Sequence, residues 1–187
     1  MSTSSQALLV MDYQEGIVSR FAEAGLVDRM SSAIGAARGA GIPVIYVVVR
    51  FRDGFPEVSP NNLSFSQVKS SGFDLGETSP STQVHAAVAP KPGEVTVTKR
   101  RVGSFSGSDL EVVLRSQGIT SLVLAGISTS GVVLSTVRLA ADLDYRLTVL
   151  SDCCADTDEE VHRVLTEKIF PRQASVVTAA EWIKNLG

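Results

Sequence analysis

The sequence predicts an α/β fold in which helices cover both faces of a doubly wound, parallel sheet of about six strands. Short apolar runs without polar alternation, as in strands buried on both faces, alternate with helical patterns. The strand-like runs are residues 8–11, 44–49, 95–98, 122–125, 147–150 and 174–177. We therefore expect a three-layer α/β/α architecture of Rossmann-like topology, with ligands beyond the carboxyl ends of the strands.

The composition predicts one domain over residues 1–187. The chain is 44% hydrophobic, which is enough for one sizeable core, and its formal net charge is −3. A weakly acidic chain offers no basic field for nucleic acid or for an anionic membrane surface. No apolar run reaches the roughly 18 residues that a membrane helix needs. We expect a cytoplasmic protein that acts on a small molecule.

Between the strands, helices are predicted over residues 27–40 and 109–117. Residues 51–92 are irregular and rich in proline, asparagine and serine. A long loop in a compact domain is usually functional or disordered, so this segment is either a cover over the site or a surface excursion without a role.

The strand ends carry the candidate chemistry. Gly126 ends the apolar run 122–125, and Thr129 and Ser130 are candidate N-caps of the next helix, whose first turn would bind an anion. Asp12 ends the first apolar strand, where a carboxylate is costly unless it has a partner; alternatively, it caps the following turn. Lys99 ends the third strand and could equally be a solvated lysine in a basic run.

Three segments together resemble the isochorismatase-like hydrolases, also called the cysteine hydrolase superfamily. They are Ala-Leu-Leu-Val-Met-Asp-Tyr-Gln at 7–14, Val-Thr-Val-Thr-Lys at 95–99 followed by Ser104 and Phe105, and Gly-Ile-Ser-Thr-Ser-Gly-Val-Val at 126–133, with Asp152 after the next strand. The resemblance implies catalytic roles for Asp12 and Lys99. It places Val132 where the family carries its nucleophilic Cys.

The same resemblance implies a cis peptide bond between Ile127 and Ser128, which would aim the backbone N–H groups of Ser128 and Val132 at an oxyanion. Phe105 and Thr129 are expected to line the substrate pocket. Relatives are commonly dimers or tetramers, so a homo-oligomer is expected. Metal-binding relatives carry an Asp and His pair where this chain reads Val-Arg-Phe-Arg-Asp-Gly at 49–54, so neither a metal nor a cofactor is expected.

Without a thiol at position 132, a thiolate attack on a carbonyl does not carry over. Some members of the superfamily lack the Cys and hydrolyse a vinyl ether by protonating its double bond with the Asp. We therefore expect a hydrolase with Asp12 as the general acid or base and Lys99 as its electrostatic partner. The alternatives are a catalytically silent small-molecule-binding relative and an amidase with a relocated nucleophile.

Relocated nucleophiles are not well supported by the sequence. Cys153 and Cys154, the only cysteines, are expected to pack as small buried side chains. A serine nucleophile would need a histidine base, but His85 and His162 are expected in a loop and on an exposed helix face.

Overall fold

Six parallel strands form one sheet in the computed structural model, which describes residues 5–21 and 24–186. Their order is β3-β2-β1-β4-β5-β6, and every pairing is parallel. The strands are β1 (Gln6–Met11), β2 (Val44–Val49), β3 (Val95–Lys99), β4 (Ser121–Ile127), β5 (Arg146–Ala155) and β6 (Ser175–Val177). The predicted fold class is confirmed.

Helices cover both faces of this sheet. They are α1 (Glu15–Val18), α2 (Leu26–Gly39), α3 (Leu63–Ser71), α4 (Leu110–Ser116), α5 (Leu134–Asp142), α6 (Glu159–Val164) and α7 (Ala179–Lys184). Five shorter helical turns are Pro80–Thr82, Ala86–Val88, Thr129–Val133, Leu165–Ile169 and Phe170–Arg172. None of the described helices is long and apolar enough to cross a membrane.

Alternation along β1 builds one apolar core on each face of the sheet. Leu9 and Met11 pack with residues of α4 and α5, whereas Leu8 and Val10 pack with residues of α2 and α7. Chain order reverses between β1 and β4, so the crevice for a ligand is expected at their carboxyl ends.

The fourth and fifth strands extend further than the apolar runs predict. Gly126 lies inside β4, opposite Met11, and the pairing with β5 shifts register between Leu124 and Gly126. Asp152 likewise lies within β5, where its carboxylate accepts a hydrogen bond from Ala179 N at 2.7 Å. Both strands continue because backbone pairing, rather than an unbroken apolar run, defines their ends. Cys153 and Cys154 are buried on opposite faces of β5, as small packed side chains.

Residues 51–92 are more regular than expected, since they contain α3. Asn62 caps this helix by accepting a hydrogen bond from Phe65 N at 3.1 Å, and Gly72 ends it with a φ of 75°. Only Phe65 of the helix is buried, so its apolar periodicity is too weak to predict from sequence. The ring of Phe65 packs edge-on against Phe51, with centroids 5.1 Å apart.

Gly126 is required by the close approach of β1 and β4. A Cβ atom there would lie 2.9 Å from Met11 Cβ and 3.0 Å from Met11 O. We expect Gly126→Ala to lower the free energy of unfolding by about 1–3 kcal/mol, because a buried core cannot absorb the added methyl without moving backbone. Urea denaturation measures this difference.

The matched control is Gly35→Ala in the middle of α2, where an added Cβ meets no atom within 4 Å. There the same substitution should stabilise the protein by about 0.5–1 kcal/mol, because alanine is the better helix former. Equal effects of the two substitutions would contradict the packing argument.

Candidate active site

A buried ion pair lies at the carboxyl edge of the sheet. Asp12 directly follows β1, and Lys99 is the last residue of β3, so β2 separates them by about 9.5 Å of sheet. The long lysine side chain spans this distance, and its Nζ lies 2.9 Å from Asp12 Oδ2. The exposed fractions are 5% for Asp12 and 2% for Lys99. Lys99 also donates to Arg101 O at 3.1 Å.

Asp12 adopts a left-handed backbone conformation with a φ of 58°. A non-glycine residue in this region costs about 1–3 kcal/mol and persists where the surroundings enforce it. Asp12 N donates to Val47 O at 2.8 Å, which ties this strained residue to β2.

Burial raises the pKa of the Asp12 carboxyl above its ordinary value of 3.8. The charge and the hydrogen bond of Lys99, and to a smaller extent the backbone N–H of Val49, oppose this shift without cancelling it. Asp12 Oδ1 is buried and has no hydrogen-bond partner among the described residues. The site therefore contains a carboxyl group whose pKa is raised. One of its two oxygens accepts no hydrogen bond from the described residues.

This carboxyl lines a cavity of about 220 Å³. Of the residues expected at the site, Asp12, Lys99, Ile127, Ser128 and Val132 all line it. The remaining lining residues are mostly apolar: Ile17, Val49, Ser64, Phe65, Leu75, Val102 and Gly131. Among the described lining residues, Asp12 and Lys99 are the charged ones.

The turn between β4 and α5 forms one wall of this cavity. The peptide bond between Ile127 and Ser128 is cis. Ser128 O accepts hydrogen bonds from Gly131 N at 3.2 Å and from Val133 N at 3.3 Å, which closes the wide helical turn Thr129–Val133. The Ser128 N–H makes no hydrogen bond to any described residue.

Thr129 and Ser130 do not cap the helix, contrary to expectation, because both lie inside that turn and Ser128 precedes it. Ser130 N instead donates to Asp156 Oδ2 at 2.7 Å. A free helix N-terminus open to a ligand is therefore the wrong description of this turn.

Phe105 and Thr129, the two residues expected in the substrate pocket, are not among those that line the cavity. Phe105 packs in the core, with its ring centroid 6.1 Å from that of Tyr145. Thr129 is fully buried, and its Oγ1 lies 2.8 Å from His162 Nδ1. The expectation of an exposed His162 was therefore wrong, since α6 folds back against the turn.

Sequence reasoning missed Gln14, a buried residue that connects the chain after β1 to β2 and to the segment 51–92. Its Oε1 accepts from Val49 N at 2.8 Å, and its Nε2 donates to Val49 O at 3.0 Å and to Thr82 O at 2.8 Å. The available signal was its position two residues after Asp12, at the end of the family-like segment 7–14. Its partners are distant in sequence, so no local pattern could identify them.

Part of the segment 51–92 lies at the wall of the cavity, so a cover over the site stays a prediction that this placement favours. Ser64, Phe65 and Leu75 from this segment line the cavity. Arg100, which directly follows β3, forms ion pairs with Glu57 at 2.7 Å and with Glu77. These contacts attach this segment to the strand that carries Lys99.

The fold and this cavity define a doubly wound α/β protein with a buried acid and lysine pair at the edge of its sheet. The family model described as the isochorismatase domain matches residues 6–181. The chain therefore belongs to the isochorismatase family, and it is a hydrolase of that family.

Individual relatives match most of the chain. The uncharacterized isochorismatase family protein YwoC of Bacillus subtilis (strain 168) is 31% identical over 96% of this chain and 93% of its own length. The ureidoacrylate amidohydrolase RutB of Stutzerimonas stutzeri (strain A1501) is 31% identical over 81% of this chain and 70% of its own length. A solved isochorismatase family protein from Burkholderia thailandensis superposes with a TM-score of 0.82 at 29% identity. The match covers 97% of this chain and 95% of that protein.

Removing the lysine should raise the pKa of Asp12 further, because both its charge and its hydrogen bond favour the carboxylate. We expect Lys99→Met to shift the Asp12 titration to higher pH, as measured by the carboxyl ¹³C resonance of labelled protein. Lys184→Met at the exposed end of α7 is the control and should leave the titration unchanged.

The raised pKa also fixes the sign of the pH dependence of stability. The folded protein holds the Asp12 proton more tightly than the unfolded chain does. The stabilising contribution of this group is therefore complete below pH 3.8 and is lost as the pH rises through the folded pKa. An Asp12 titration at or below pH 3.8 in the folded protein would contradict this assignment.

Proposed function

We propose that this protein hydrolyses a small molecule without a covalent intermediate, with Asp12 as the general acid and base and Lys99 as its electrostatic partner. The observation that carries the proposal is the buried carboxyl of Asp12, a residue that lines the cavity: its Oδ1 has no hydrogen-bond partner among the described residues, and the Lys99 ammonium lies 2.9 Å from Oδ2. Perturbed carboxyl groups in clefts are characteristic of acid and base catalysts.

The reaction that best suits these groups is the hydrolysis of a vinyl ether. Protonated Asp12 gives its proton to the terminal carbon of the double bond, and the carbon bearing oxygen becomes an oxocarbenium ion. Water adds to that carbon and returns a proton to the Asp12 carboxylate. The resulting hemiketal breaks into a carbonyl compound and an alcohol.

Lys99 would contribute at the moment when Asp12 loses its proton. The carboxylate that forms lies against the ammonium group, so the developing negative charge is stabilised in place. The apolar walls formed by residues such as Val49, Phe65 and Leu75 strengthen this interaction, because they lower the local dielectric constant.

The backbone N–H of Ser128 is available for a substrate oxygen. Ser128 lines the cavity, and its N–H has no acceptor among the described residues. A donor fixed by the turn could hold the oxygen that gains electron density during the reaction. The expected second donor, Val132 N, belongs to the same turn.

Amide hydrolysis is the second candidate, because a relative that matches most of the chain is named an amidohydrolase. Val132 offers no nucleophile for a covalent mechanism. Ser64 and Ser128 are the hydroxyl side chains at the cavity wall, whereas the Cys153 and Cys154 side chains are buried in the cores. This candidate therefore requires one of those serines or a directly activated water molecule.

A screen of vinyl ethers, amides and carbamoyl compounds tests the proposal. We expect the wild-type protein to hydrolyse a vinyl ether, and Asp12→Asn to lower kcat/KM by about 10²–10⁴-fold, because the amide cannot supply the proton. Asp142→Asn, an exposed acid on α5, is the matched control and should keep wild-type activity.

The pH profile is a second readout of the same screen. For the wild type, kcat/KM should fall about tenfold per pH unit once the pH exceeds the raised pKa of Asp12, since only the protonated acid reacts. Activity that appears only in Val132→Cys would identify the natural protein as a silent relative. Covalent labelling of Ser64 or Ser128 by an electrophilic substrate analogue would favour the amidase.

A further inference from the structure

Asp12 and Lys99, which both line the cavity, each keep one hydrogen-bonding position that no described residue uses. An ammonium group carries three N–H donors, and Lys99 gives one to Asp12 Oδ2 and one to Arg101 O. Among the described residues, the third donor has no acceptor. Asp12 Oδ1 likewise has no hydrogen-bond partner in the part of the chain that the structure describes. Buried polar groups without partners are uncommon, so each position calls for a ligand.

We propose that the cavity binds the carboxylate group of a small monoanion on Lys99, and that one proton is taken up at Asp12 as the anion binds. The inference rests on the roles of Asp12 and Lys99 in the proposed function, but not on turnover. It names the charge class of the molecules that the site accepts and links their affinity to pH.

Charge balance is the reason for the proton uptake. The empty site holds one carboxylate and one ammonium group in contact, so it is neutral when Asp12 is ionised. A second carboxylate would place two negative charges beside one positive charge inside apolar walls. Protonation of Asp12 removes this repulsion, and the new O–H at Oδ1 can donate to one oxygen of the ligand while Lys99 donates to the other.

The position of Asp12 supports the same conclusion. Burial already brings this carboxyl towards its protonated form, so the additional shift needed on anion binding is smaller than for an exposed acid. Both residues are at least 95% buried, and water therefore screens the incoming charge poorly.

Charged groups on the neighbouring elements are engaged elsewhere. Arg50 after β2 donates to Thr82 O, Arg101 after β3 donates to Glu57 O, and Glu57 pairs with Arg52 and Arg100. The other titratable side chains near this edge are also bonded away from the cavity: Tyr13 to Cys153 O, Glu15 to Ala86 N, Glu77 to Arg100, and Asp156 to Ser130 N. None of these groups is among the residues that line the cavity.

A dianion should therefore bind poorly. Its second negative charge would enter a cavity in which the one cation of the described lining is already engaged. A neutral molecule of the same shape should bind without any change in protonation, because it leaves the pair of Asp12 and Lys99 intact.

Three probes of matched shape test the proposal: isobutyrate as the monoanion, isobutyramide as its neutral counterpart and methylmalonate as the dianion. Calorimetric titrations at about pH 7–9, each in two buffers of different ionisation enthalpy, give the affinity and the number of protons taken up. For isobutyrate we expect one proton and a Kd that rises about tenfold per pH unit above the pKa of Asp12. Isobutyramide should take up none, and methylmalonate should bind at least about tenfold more weakly than isobutyrate.

Variants locate the proton and the cation. Asp12→Asn should still bind isobutyrate, but without proton uptake and with an affinity independent of pH, because the repelling charge is gone. Asp142→Asn should behave as the wild type. Lys99→Met, with its fold checked by circular dichroism, should lose at least about tenfold in affinity for isobutyrate. If this variant does not fold, the proton uptake measured for Asp12→Asn still tests the proposal.

Binding of isobutyrate to the wild type without proton uptake, proton uptake that persists in Asp12→Asn, or no binding of isobutyrate would overturn the inference. Failure of the proposed function gives a different result. If no compound is hydrolysed but isobutyrate binding still takes up one proton, the catalytic proposal fails and the binding site stands.

Discussion

The contact between Asp12 and Lys99 is the constraint around which the carboxyl edge of the sheet is organised. An ion pair this deeply buried loses the hydration of both groups, and the attraction between them offsets that loss only at close range. The strand order supplies the geometry, because β2 lies between the two strands and a lysine side chain is long enough to cross it. The strained backbone of Asp12 then directs the carboxyl towards the cavity.

The surrounding structure keeps water from this pair. The Gln14 amide accepts a hydrogen bond from Val49 N and donates to Val49 O and to Thr82 O. One buried side chain after β1 therefore connects β2 with the segment 51–92. Arg100 attaches this segment to β3 through Glu57. These links hold Phe65 and the neighbouring apolar side chains over the site, which keeps the local dielectric constant low and the Asp12 carboxyl perturbed.

Val132 offers no nucleophilic side chain, so the proposed reaction uses the other groups at the cavity. The acid, the ammonium group and a backbone donor at Ser128 still border one cavity. Val132 adds apolar surface beside them, which favours the neutral form of the acid. Under the proposed function, such a site transfers a proton to the substrate instead of attacking it covalently, and the proposed charge balance limits which anions bind.

The sequence by itself determined the six strands, the family and the positions of Asp12, Lys99 and the turn at Ile127. These features depend on local pattern and order: apolar runs predict strands, and parallel strands place their carboxyl ends at one edge.

Only the tertiary structure decided which side chains meet there. It showed that Gln14 connects the chain after β1 to Val49 and Thr82, that Ser64 and Phe65 of α3 line the cavity, and that Phe105 and Thr129 pack elsewhere. These contacts join residues far apart in the chain, with partners selected by packing and by the need to pair buried polar groups, and neither leaves a periodic signal in the sequence.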